Sequence, residues 1–233
     1  MNESESTPKP QALKKTHNVV FNLIKEHLPK GSVILDAGCG EGALTKKLSE
    51  AGYDVFAADI FPERFKLEKL PIIRCDLNSS LPFSDSSFDS VIVVEVIEHL
   101  IHWEGFLQES HRVLKPGGIL VVSVPNILNL ASRLRYLICG YPSLYSNKRL
   151  REDATKRHIS LIPVQFLINS AQRSGFRVKR ITTDKFRYSA LFLSPMLPFA
   201  ILLTKLFLQD SFDLLTFKAS ILFGRTLISV FQK

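Results

Sequence analysis

The chain has 233 residues, of which 45% are hydrophobic, and a formal net charge of +8. This length and composition can form one α/β domain with a full core. The positive charge favours acidic partners (anionic lipid, phosphorylated substrates or nucleic acid), although a merely solvated basic surface explains it equally well. Cys39, Cys75 and Cys139 form no CxxC motif. They suit a reducing compartment and argue against a zinc knuckle.

The N-terminal segment, residues 1–10, is polar, acidic and contains proline. It lacks the basic and apolar regions of a signal peptide, so we predict a disordered tail. Residues 11–233 are predicted to form a single domain with insertions at about 126–156 and 186–225. Apolar residues at helical spacing predict a first helix over residues 11–28, which Pro29-Lys30-Gly31 ends.

The next hundred residues alternate between strand-like and helix-like segments. This alternation indicates a doubly wound α/β sheet. The run 88–94 is almost continuously apolar, which is typical of a parallel strand covered on both faces. The predicted strands are 33–35, 54–58, 72–75, 88–94, 119–124, 177–182 and 226–231, and the predicted helices after the first are 43–51, 103–114, 127–138 and a segment from 159–163 to 174.

Four acids stand where apolar strand runs end: Asp36, Asp59, Asp76 and Glu95. In doubly wound sheets, ligands bind beyond the carboxyl ends of the strands. One such acid alone is commonly a helix cap or turn residue. Four acids at four strand ends predict a ligand site at that edge.

The glycine-rich stretch between the first strand and its helix limits the type of ligand. Its spacing is Gly38-x-Gly40-x-Gly42, one residue short of the dinucleotide pattern G-x-G-x-x-G. Asp36, directly before this motif, is also foreign to the dinucleotide pattern. A nucleoside that carries an amino acid needs no pyrophosphate cradle, and its cationic groups call for carboxylates. These features favour S-adenosylmethionine over NAD.

Together these motifs resemble class I S-adenosylmethionine-dependent methyltransferases, in the small-molecule O-methyltransferase branch that includes ubiquinone-biosynthesis and methyltransferase type 11 enzymes. The resemblance spans residues 33 to about 126 and continues less sharply at 157–159 and 171–176. It implies a Rossmann-like seven-stranded sheet with helices on both faces and an antiparallel last strand. The carrying stretches are VILDAGCGEG (33–42), AD (58–59), CDL (75–77), LPF (81–83), SFD (87–89), EVIEHL (95–100) and VLKPGG (113–118).

The resemblance implies S-adenosylmethionine as the cofactor and a role for each matched position. Asp36 supports the glycine turn and the amino-acid end of the cofactor, and Gly38 and Gly40 allow its close passage. Cys39 and Gly42 are the other cofactor-binding residues of the turn.

The remaining matched positions surround the nucleoside. Asp59 accepts from the two ribose hydroxyls, Asp76 and the Leu77 backbone meet the adenine, and Ile60 packs on the ring. Glu95 and Val96 back the methionine portion. The chain departs from the family after Ile60, because the usual helix after the second strand is shortened, which alters the wall around the adenine.

Methyl transfer to oxygen benefits from a base, and Glu98, His99 and His158 are the catalytic candidates. Glu95, Glu98 and His99 would share one helical face and could bind a divalent cation. A helix start at the substrate mouth explains the same residues, so no metal ligand is assigned. For His158, a helix-capping or surface role is the alternative.

The two insertions are the candidates for acceptor recognition. Residues 126–156 are predicted to cap the site, and Tyr141, Tyr145, Lys148, Arg149 and Arg151 suit a phosphate or sugar. A solvated helix pair explains them equally well. Residues 188–204 carry no charge but contain Pro195 and Pro198. They could lie in a membrane interface or cover a lipidic substrate, and a helical cap or dimer surface is the alternative.

These features predict a methyltransferase that acts on oxygen of a small molecule, such as a quinone precursor, a saccharide or a lipid-linked acceptor. The alternatives are an RNA 2′-O-methyltransferase and a cofactor-binding module without activity. The expected partners are the small-molecule acceptor and, peripherally, an anionic membrane or lipid, whereas nucleic acid is disfavoured. The expected location is cytoplasmic, at the inner face of a membrane if it is peripheral.

Overall fold

The computed structural model describes residues 7–10, 12, 14–143, 145, 158–207 and 214–233. Lys148, Arg149 and Arg151, which were predicted to recognise the acceptor, lie outside the described residues.

Within these ranges the strands belong to one sheet and the helices pack on its two faces. The strands are β1 Val33–Ala37, β2 Asp54–Asp59, β3 Ile72–Arg74, β4 Phe88–Val94, β5 Leu114–Pro125, β6 Arg177–Thr183 and β7 Thr226–Gln232. The helices are α1 Lys14–His27, α2 Ala43–Glu50, α3 Trp103–Val113, α4 Leu130–Cys139, α5 Val164–Arg173, α6 Leu197–Phe207 and α7 Ala219–Phe223, with 3₁₀ segments at Pro62–Arg64, Ile97–His99, Tyr188–Met196 and Leu214–Phe217.

In the described part of the chain the sheet has seven strands in the order β3-β2-β1-β4-β5-β7-β6. β1 pairs in parallel with β2 and β4, whereas β7 is antiparallel to both β5 and β6. The predicted Rossmann-like sheet with an antiparallel last strand is therefore confirmed. The strand order reverses direction at β1 and β4, whose carboxyl ends open a crevice where ligands bind in such sheets.

The core consists of two hydrophobic clusters, one on each face of the sheet. Val91 and Val93 of β4 pack into one cluster, while Ile92 packs into the other. Successive side chains of a strand point to opposite faces, so a strand covered on both sides needs apolar residues throughout. This explains the continuous apolar run that predicted β4.

Element boundaries differ from the predictions where local contacts decide them. The Asn129 side chain accepts a hydrogen bond from Ser132 N and caps α4, which begins at Leu130 rather than at residue 127. α5 begins at Val164 because Pro163 is extended and serves as its N-cap residue. Leu114 pairs with Phe88 ahead of an irregularity in register, so β5 begins at residue 114 rather than at the predicted residue 119.

Residues 7–10 are the described part of the predicted tail. Pro8 is buried, and Lys9 N donates to a Glu41 carboxylate oxygen at 2.7 Å. Residues 7–10 therefore pack next to the glycine turn, and residues 1–6 lie outside the described residues.

Among the residues that the structure describes, none of the helices is both long enough and apolar enough to cross a bilayer.

Candidate functional site

The turn between β1 and α2 depends on glycine for its own packing. Gly38, Gly40 and Gly42 all have positive φ, at 79°, 55° and 89°. A Cβ on Gly38 would lie 2.5 Å from Val96 Cγ2, and a Cβ on Gly42 would lie 2.6 Å from a Phe65 ring carbon. These distances are shorter than any van der Waals contact, so a side chain at either position would displace its neighbours. The turn is thus built against the segments that follow β4 and β2.

Asp59 lies at the carboxyl end of β2, directly beside this turn, and is 9% exposed. Its two carboxylate oxygens accept hydrogen bonds from Gly40 N and Phe61 N, each at 2.9 Å. A carboxylate has about four acceptor positions, so each oxygen retains one for a ligand. Asp59 both fixes the turn and offers the paired acceptor that two vicinal hydroxyls need.

Asp36 is almost fully buried under the same turn. Its carboxylate accepts a hydrogen bond from Thr45 Oγ1 at 2.6 Å and so ties β1 to the first turn of α2. Burial raises the pKa of Asp36 to about 6, and the neighbouring Asp59 charge adds to the effect. Burial, followed by the Asp36 and Asp59 charges, also raises the pKa of the Cys39 thiol. Cys39 is therefore held as a neutral thiol.

The predicted adenine wall is more open than the glycine turn. Ile60 is 44% exposed, and Leu77 is buried. The Asp76 carboxylate is exposed and accepts hydrogen bonds from the backbone and side-chain nitrogens of Asn78. Asn78 Oδ1 in turn accepts from Ile101 N and so connects this wall to the segment after β4. Sequence reasoning missed Asn78, although an Asp-x-Asn turn after a strand could have signalled it.

The shortened connection after β2 is a single 3₁₀ turn, Pro62–Arg64, as predicted. The following residues fold onto the glycine turn: Lys66 Nζ lies 2.8 Å from the Glu41 carboxylate, and Lys66 N donates to Glu41 O. Glu41 was quoted in the motif without a role. In the structure Glu41 binds Lys9, which precedes α1, and Lys66, which follows β2.

Glu95 follows β4 in a backbone conformation that is rare for a non-glycine residue, with φ of 53°. Its N–H donates to Ser123 Oγ at 2.9 Å, and its carboxylate accepts from Thr226 Oγ1 at 3.0 Å. Burial raises the pKa of the Glu95 carboxyl. Strained residues persist where surrounding contacts hold them and are concentrated at functional sites. Thr226, on β7, had no sequence signal for this contact.

Three residues that sequence reasoning named as catalytic candidates meet just beyond the end of β4. One ligating atom of each of Glu98, His99 and His158 lies within 4.8 Å of the others. The two imidazole rings stand edge to face with centroids 4.9 Å apart, and the Tyr145 ring packs on His158 at 5.4 Å. A mixed oxygen and nitrogen set of this kind can hold a divalent cation.

The predicted helical face of Glu95, Glu98 and His99 is wrong. Residues 97–99 form a 3₁₀ turn, and Glu95 is bound to Thr226 instead of joining the histidines. The possible third ligand is His158, which is distant in the sequence.

Hydrogen bonds from the residues after His158 hold His158 next to Glu98 and His99. Ile159 N and Ser160 N both donate to Glu98 O at 3.0 Å, and Ser160 Oγ donates to Leu100 O. Tyr145 Oη donates to Ser160 O at 2.7 Å. His158 is half-buried, and Pro163 occupies the cap of α5. Pro163 rather than His158 thus caps α5, and His158 packs between Tyr145 and His99.

The Glu98 carboxyl is the most unusual group of this cluster. It is 1% exposed, and neither oxygen receives a hydrogen bond from another described residue. Burial raises its pKa to about 8, and the nearby Glu95 charge adds to the shift. A buried carboxyl without donors is costly when ionised. Glu98 is therefore neutral below about pH 8 and can exchange a proton near that pH.

The comparisons with known proteins agree with this geometry. Residues 35–122 match the family model described as "Methyltransferase domain". These residues form a methyltransferase domain of the S-adenosylmethionine-dependent class. The matched stretch runs from β1 through most of β5 and contains the glycine turn, Asp59, Glu95 and Glu98.

Relatives of this methyltransferase domain include enzymes of quinone metabolism. The mouse (Mus musculus) mitochondrial ubiquinone biosynthesis O-methyltransferase is 34% identical over 116 residues, which cover 45% of this chain and 31% of that protein. The demethylmenaquinone methyltransferase of Tropheryma whipplei (strain Twist) is 37% identical over 98 residues, which cover 40% of this chain and 41% of that protein. The chain thus spans less than half the length of these relatives.

The fold likeness extends beyond the matched domain. The crystal structure of an S-adenosylmethionine-dependent methyltransferase from Archaeoglobus fulgidus superposes with a TM-score of 0.60 at 18% identity, covering 93% of this chain and 94% of that one. At this identity the likeness shows the fold alone. The methyltransferase fold therefore includes β6 and β7, which lie outside the family match.

Proposed function

We propose that this chain transfers a methyl group from S-adenosylmethionine to an oxygen of a small molecule, such as a quinone precursor, a saccharide or a lipid-linked acceptor. One observation carries the proposal: the turn after β4 contacts both halves of the site. Val96 packs on Gly38 of the glycine turn, and Glu98 and His99, a few residues later, form the cluster with His158. We call the glycine turn with Asp59, Glu95 and Val96 the donor side, and the cluster of Glu98, His99 and His158 the acceptor side. The turn after β4 thus joins the two sides.

The residues on the donor side fit S-adenosylmethionine, whose sulfonium supplies an activated methyl group. Asp59 retains two acceptor positions for ribose hydroxyls, and Gly40, which carries no side chain, holds Asp59 against the turn through its backbone N–H. Glu95 and Val96 back the amino-acid and sulfonium portion. The task of these residues is alignment and exclusion of water, which contribute most of the acceleration in a displacement of this type.

The residues on the acceptor side can remove a proton. An acceptor hydroxyl must lose its proton as it forms the new bond, and a base is most effective when its pKa lies near the working pH. The pKa of Glu98, raised to about 8 by burial, meets this condition. His99 and His158 lie beside it and can orient the hydroxyl or share the proton. This arrangement favours oxygen as the accepting atom.

The mouse relative supports oxygen as the methylated atom, because its name describes an O-methyltransferase of ubiquinone biosynthesis. The relative from Tropheryma whipplei is named as a demethylmenaquinone methyltransferase. Quinone precursors are accordingly the first acceptors to assay.

Calorimetry with S-adenosylmethionine tests the donor site. Asp59→Ala removes two hydrogen bonds to a carboxylate, each worth roughly 1.5–3 kcal/mol, so affinity should fall by at least about 100-fold. Asp36→Ala should also weaken binding, because Asp36 ties the glycine turn to α2. Asp54→Ala is the matched control, since Asp54 is an exposed carboxylate at the opposite end of β2. Unchanged affinity in both Asp59→Ala and Asp36→Ala would overturn the donor site.

The acceptor can be identified with methyl-labelled cofactor and metabolite fractions that include membrane extracts. Label recovered in methyl ethers supports the proposal. Label recovered only on nitrogen or carbon refutes oxygen transfer, and binding of the cofactor without any transfer identifies a non-catalytic module.

The cluster of Glu98, His99 and His158 favours one alternative, a metal-assisted RNA 2′-O-methyltransferase. That function requires a divalent cation and an RNA acceptor. Exhaustive chelation should abolish it, and cation addition should restore it. Activity on a small molecule that survives chelation would refute metal assistance.

A further inference from the structure

Two segments outside the family match, α4 and residues 188–207, form a continuous apolar region. Helix α4 packs against the 3₁₀ segment 188–196, which continues directly into α6. Between α4 and this segment lies a groove of about 420 Å³. Its lining is almost entirely apolar and consists of Ala131, Leu134, Arg135, Ile138, Cys139 and Leu193.

The outer surface of these elements is unusually rich in exposed large apolar side chains. Phe192, Leu137 and Ile138 are 87%, 82% and 75% exposed. Exposed apolar residues elsewhere in the described chain, such as Ile101 and Phe166, stand on separate elements. We call the exposed apolar residues of α4, 188–196 and α6 the apolar face. It comprises Leu134, Tyr136, Leu137, Ile138, Tyr188, Phe192, Met196, Phe199, Leu202 and Leu206.

The charged residues within the segments that form this face are of one sign. Residues 126–143 and 185–207 contain five cations and no aspartate or glutamate. A second copy of this chain would bring a surface of the same charge, whereas an anionic bilayer offers the opposite charge. Aromatic and aliphatic side chains bordered by lysine and arginine are typical of proteins that lie in a membrane interface. The five cations are Arg133, Arg135, Lys185, Arg187 and Lys205.

We propose that the apolar face binds the surface of an anionic lipid bilayer. The exposed aromatic and aliphatic side chains enter the boundary between headgroups and acyl chains, while the exposed cations Arg135, Lys185 and Lys205 remain at the level of the phosphates. Each surface cation contributes roughly fivefold to the partition coefficient, an effect that salt screens.

The apolar face is connected to the acceptor side of the site. Ser143 N donates to Ser132 Oγ of α4 at 2.9 Å, and Tyr145, two residues later, packs on His158. Ser143 and Tyr145 therefore link α4, on which the bilayer would be held, to the cluster of Glu98, His99 and His158. This step rests on the proposed function, and it makes a membrane-dissolved acceptor the substrate class that the site is placed to receive.

Vesicle flotation of the full chain tests the face. Vesicles of phosphatidylcholine mixed with phosphatidylglycerol should carry the protein upward at low salt, and vesicles of phosphatidylcholine alone should carry much less. Leu137→Ser/Phe192→Ser should reduce the bound fraction by at least about tenfold. The matched control is Ile101→Ser/Phe166→Ser, which removes one aliphatic and one aromatic exposed side chain elsewhere and should float like the parent.

A charge-reversal pair separates the electrostatic part. Arg135→Glu/Lys205→Glu should abolish the preference for anionic vesicles, while Arg173→Glu/Lys179→Glu, two exposed cations away from the face, should reduce it much less. All these positions are exposed, so unchanged thermal unfolding shows that the variants fold.

Three outcomes would overturn the proposal. The first is a parent protein that stays at the bottom with anionic vesicles, and the second is equal flotation of Leu137→Ser/Phe192→Ser and the parent. The third is a parent that sediments as a dimer and binds no vesicles, while Leu137→Ser/Phe192→Ser sediments as a monomer. The last outcome would assign the face to a second copy of the chain. Cofactor calorimetry on the same samples keeps the two proposals distinct, because a protein that floats without binding S-adenosylmethionine refutes the function and leaves the membrane face intact.

Discussion

The donor side of the proposed site, around Asp59, and the acceptor side, around Glu98, contain the same type of group in different surroundings. Asp59 accepts two backbone N–H bonds, whereas Glu98 is buried without a donor from another described residue and has its pKa raised to about 8. Burial without hydrogen-bond donors favours the neutral form of a carboxyl. Asp59 is thus placed to accept hydrogen bonds from a ligand, and Glu98 to exchange a proton.

Glu98→Gln is expected to have the largest effect and tests this division directly. The change removes the proton acceptor and keeps the shape, so the transfer rate should fall by at least about 100-fold. The affinity for S-adenosylmethionine should change less than about twofold, because the donor side is untouched. Single-turnover kinetics and calorimetry measure the two quantities. A variant that loses cofactor affinity together with rate would show that the two sides are one unit.

Gly38→Ala should damage the donor side through packing alone. The new Cβ meets Val96 at 2.5 Å and the φ of 79° is strained for alanine, so unfolding should become easier by about 2–3 kcal/mol. Gly38→Ala/Val96→Ala relieves the contact and should recover part of this loss, as measured by denaturant unfolding. No recovery would mean that the backbone conformation, rather than Val96, demands glycine.

The pH dependence should differ between the parent and Glu98→Gln. The folded pKa of Glu98 is raised from 4.5 to about 8, so the folded state binds an extra proton between these values. Its contribution to stability is greatest below about pH 4.5 and is lost as the pH rises to about 8. The transfer rate should rise over the upper part of this window as the base forms. Glu98→Gln should remove both trends, and a parallel Tm profile for the two proteins would contradict the assignment.

Thr226→Val is expected to have the smallest effect. It removes the hydroxyl that donates to Glu95 and leaves a raised-pKa carboxyl less supported. Stability should fall by about 1 kcal/mol, with a modest loss of cofactor affinity. Thr182→Val, on the neighbouring strand, is the control. An unchanged affinity would limit Thr226 to a structural role.

Much of the donor side could be predicted because its signals are local. The apolar run of β1, the glycines and Asp59 all lie within a short stretch, and the alternation of strands and helices placed the acids at one edge. The exception is the support of Glu95. Thr226 lies 131 residues away, and nothing in a threonine on an apolar strand indicates which side chain it will meet.

The acceptor side shows the opposite balance. Glu98, His99 and His158 were named from the sequence. The predicted helical spacing, however, grouped Glu95 with Glu98 and His99, whereas the structure groups His158 with them. Helical spacing assumes a helix, and the chain forms a 3₁₀ turn there. The backbone of 159–160, bonded to Glu98 O, brings in His158.

The sequence by itself predicted where the seven strands lie along the chain and which edge of the sheet carries the acids, because hydrophobic periodicity and turn chemistry act over a few residues. Only the tertiary structure decided that Glu98 is buried with no hydrogen-bond donor from the other described residues, that His158 joins Glu98 and His99, and that the exposed apolar residues of α4, 188–196 and α6 come together. Burial and contact between distant segments depend on how whole elements pack, and no local pattern contains that information.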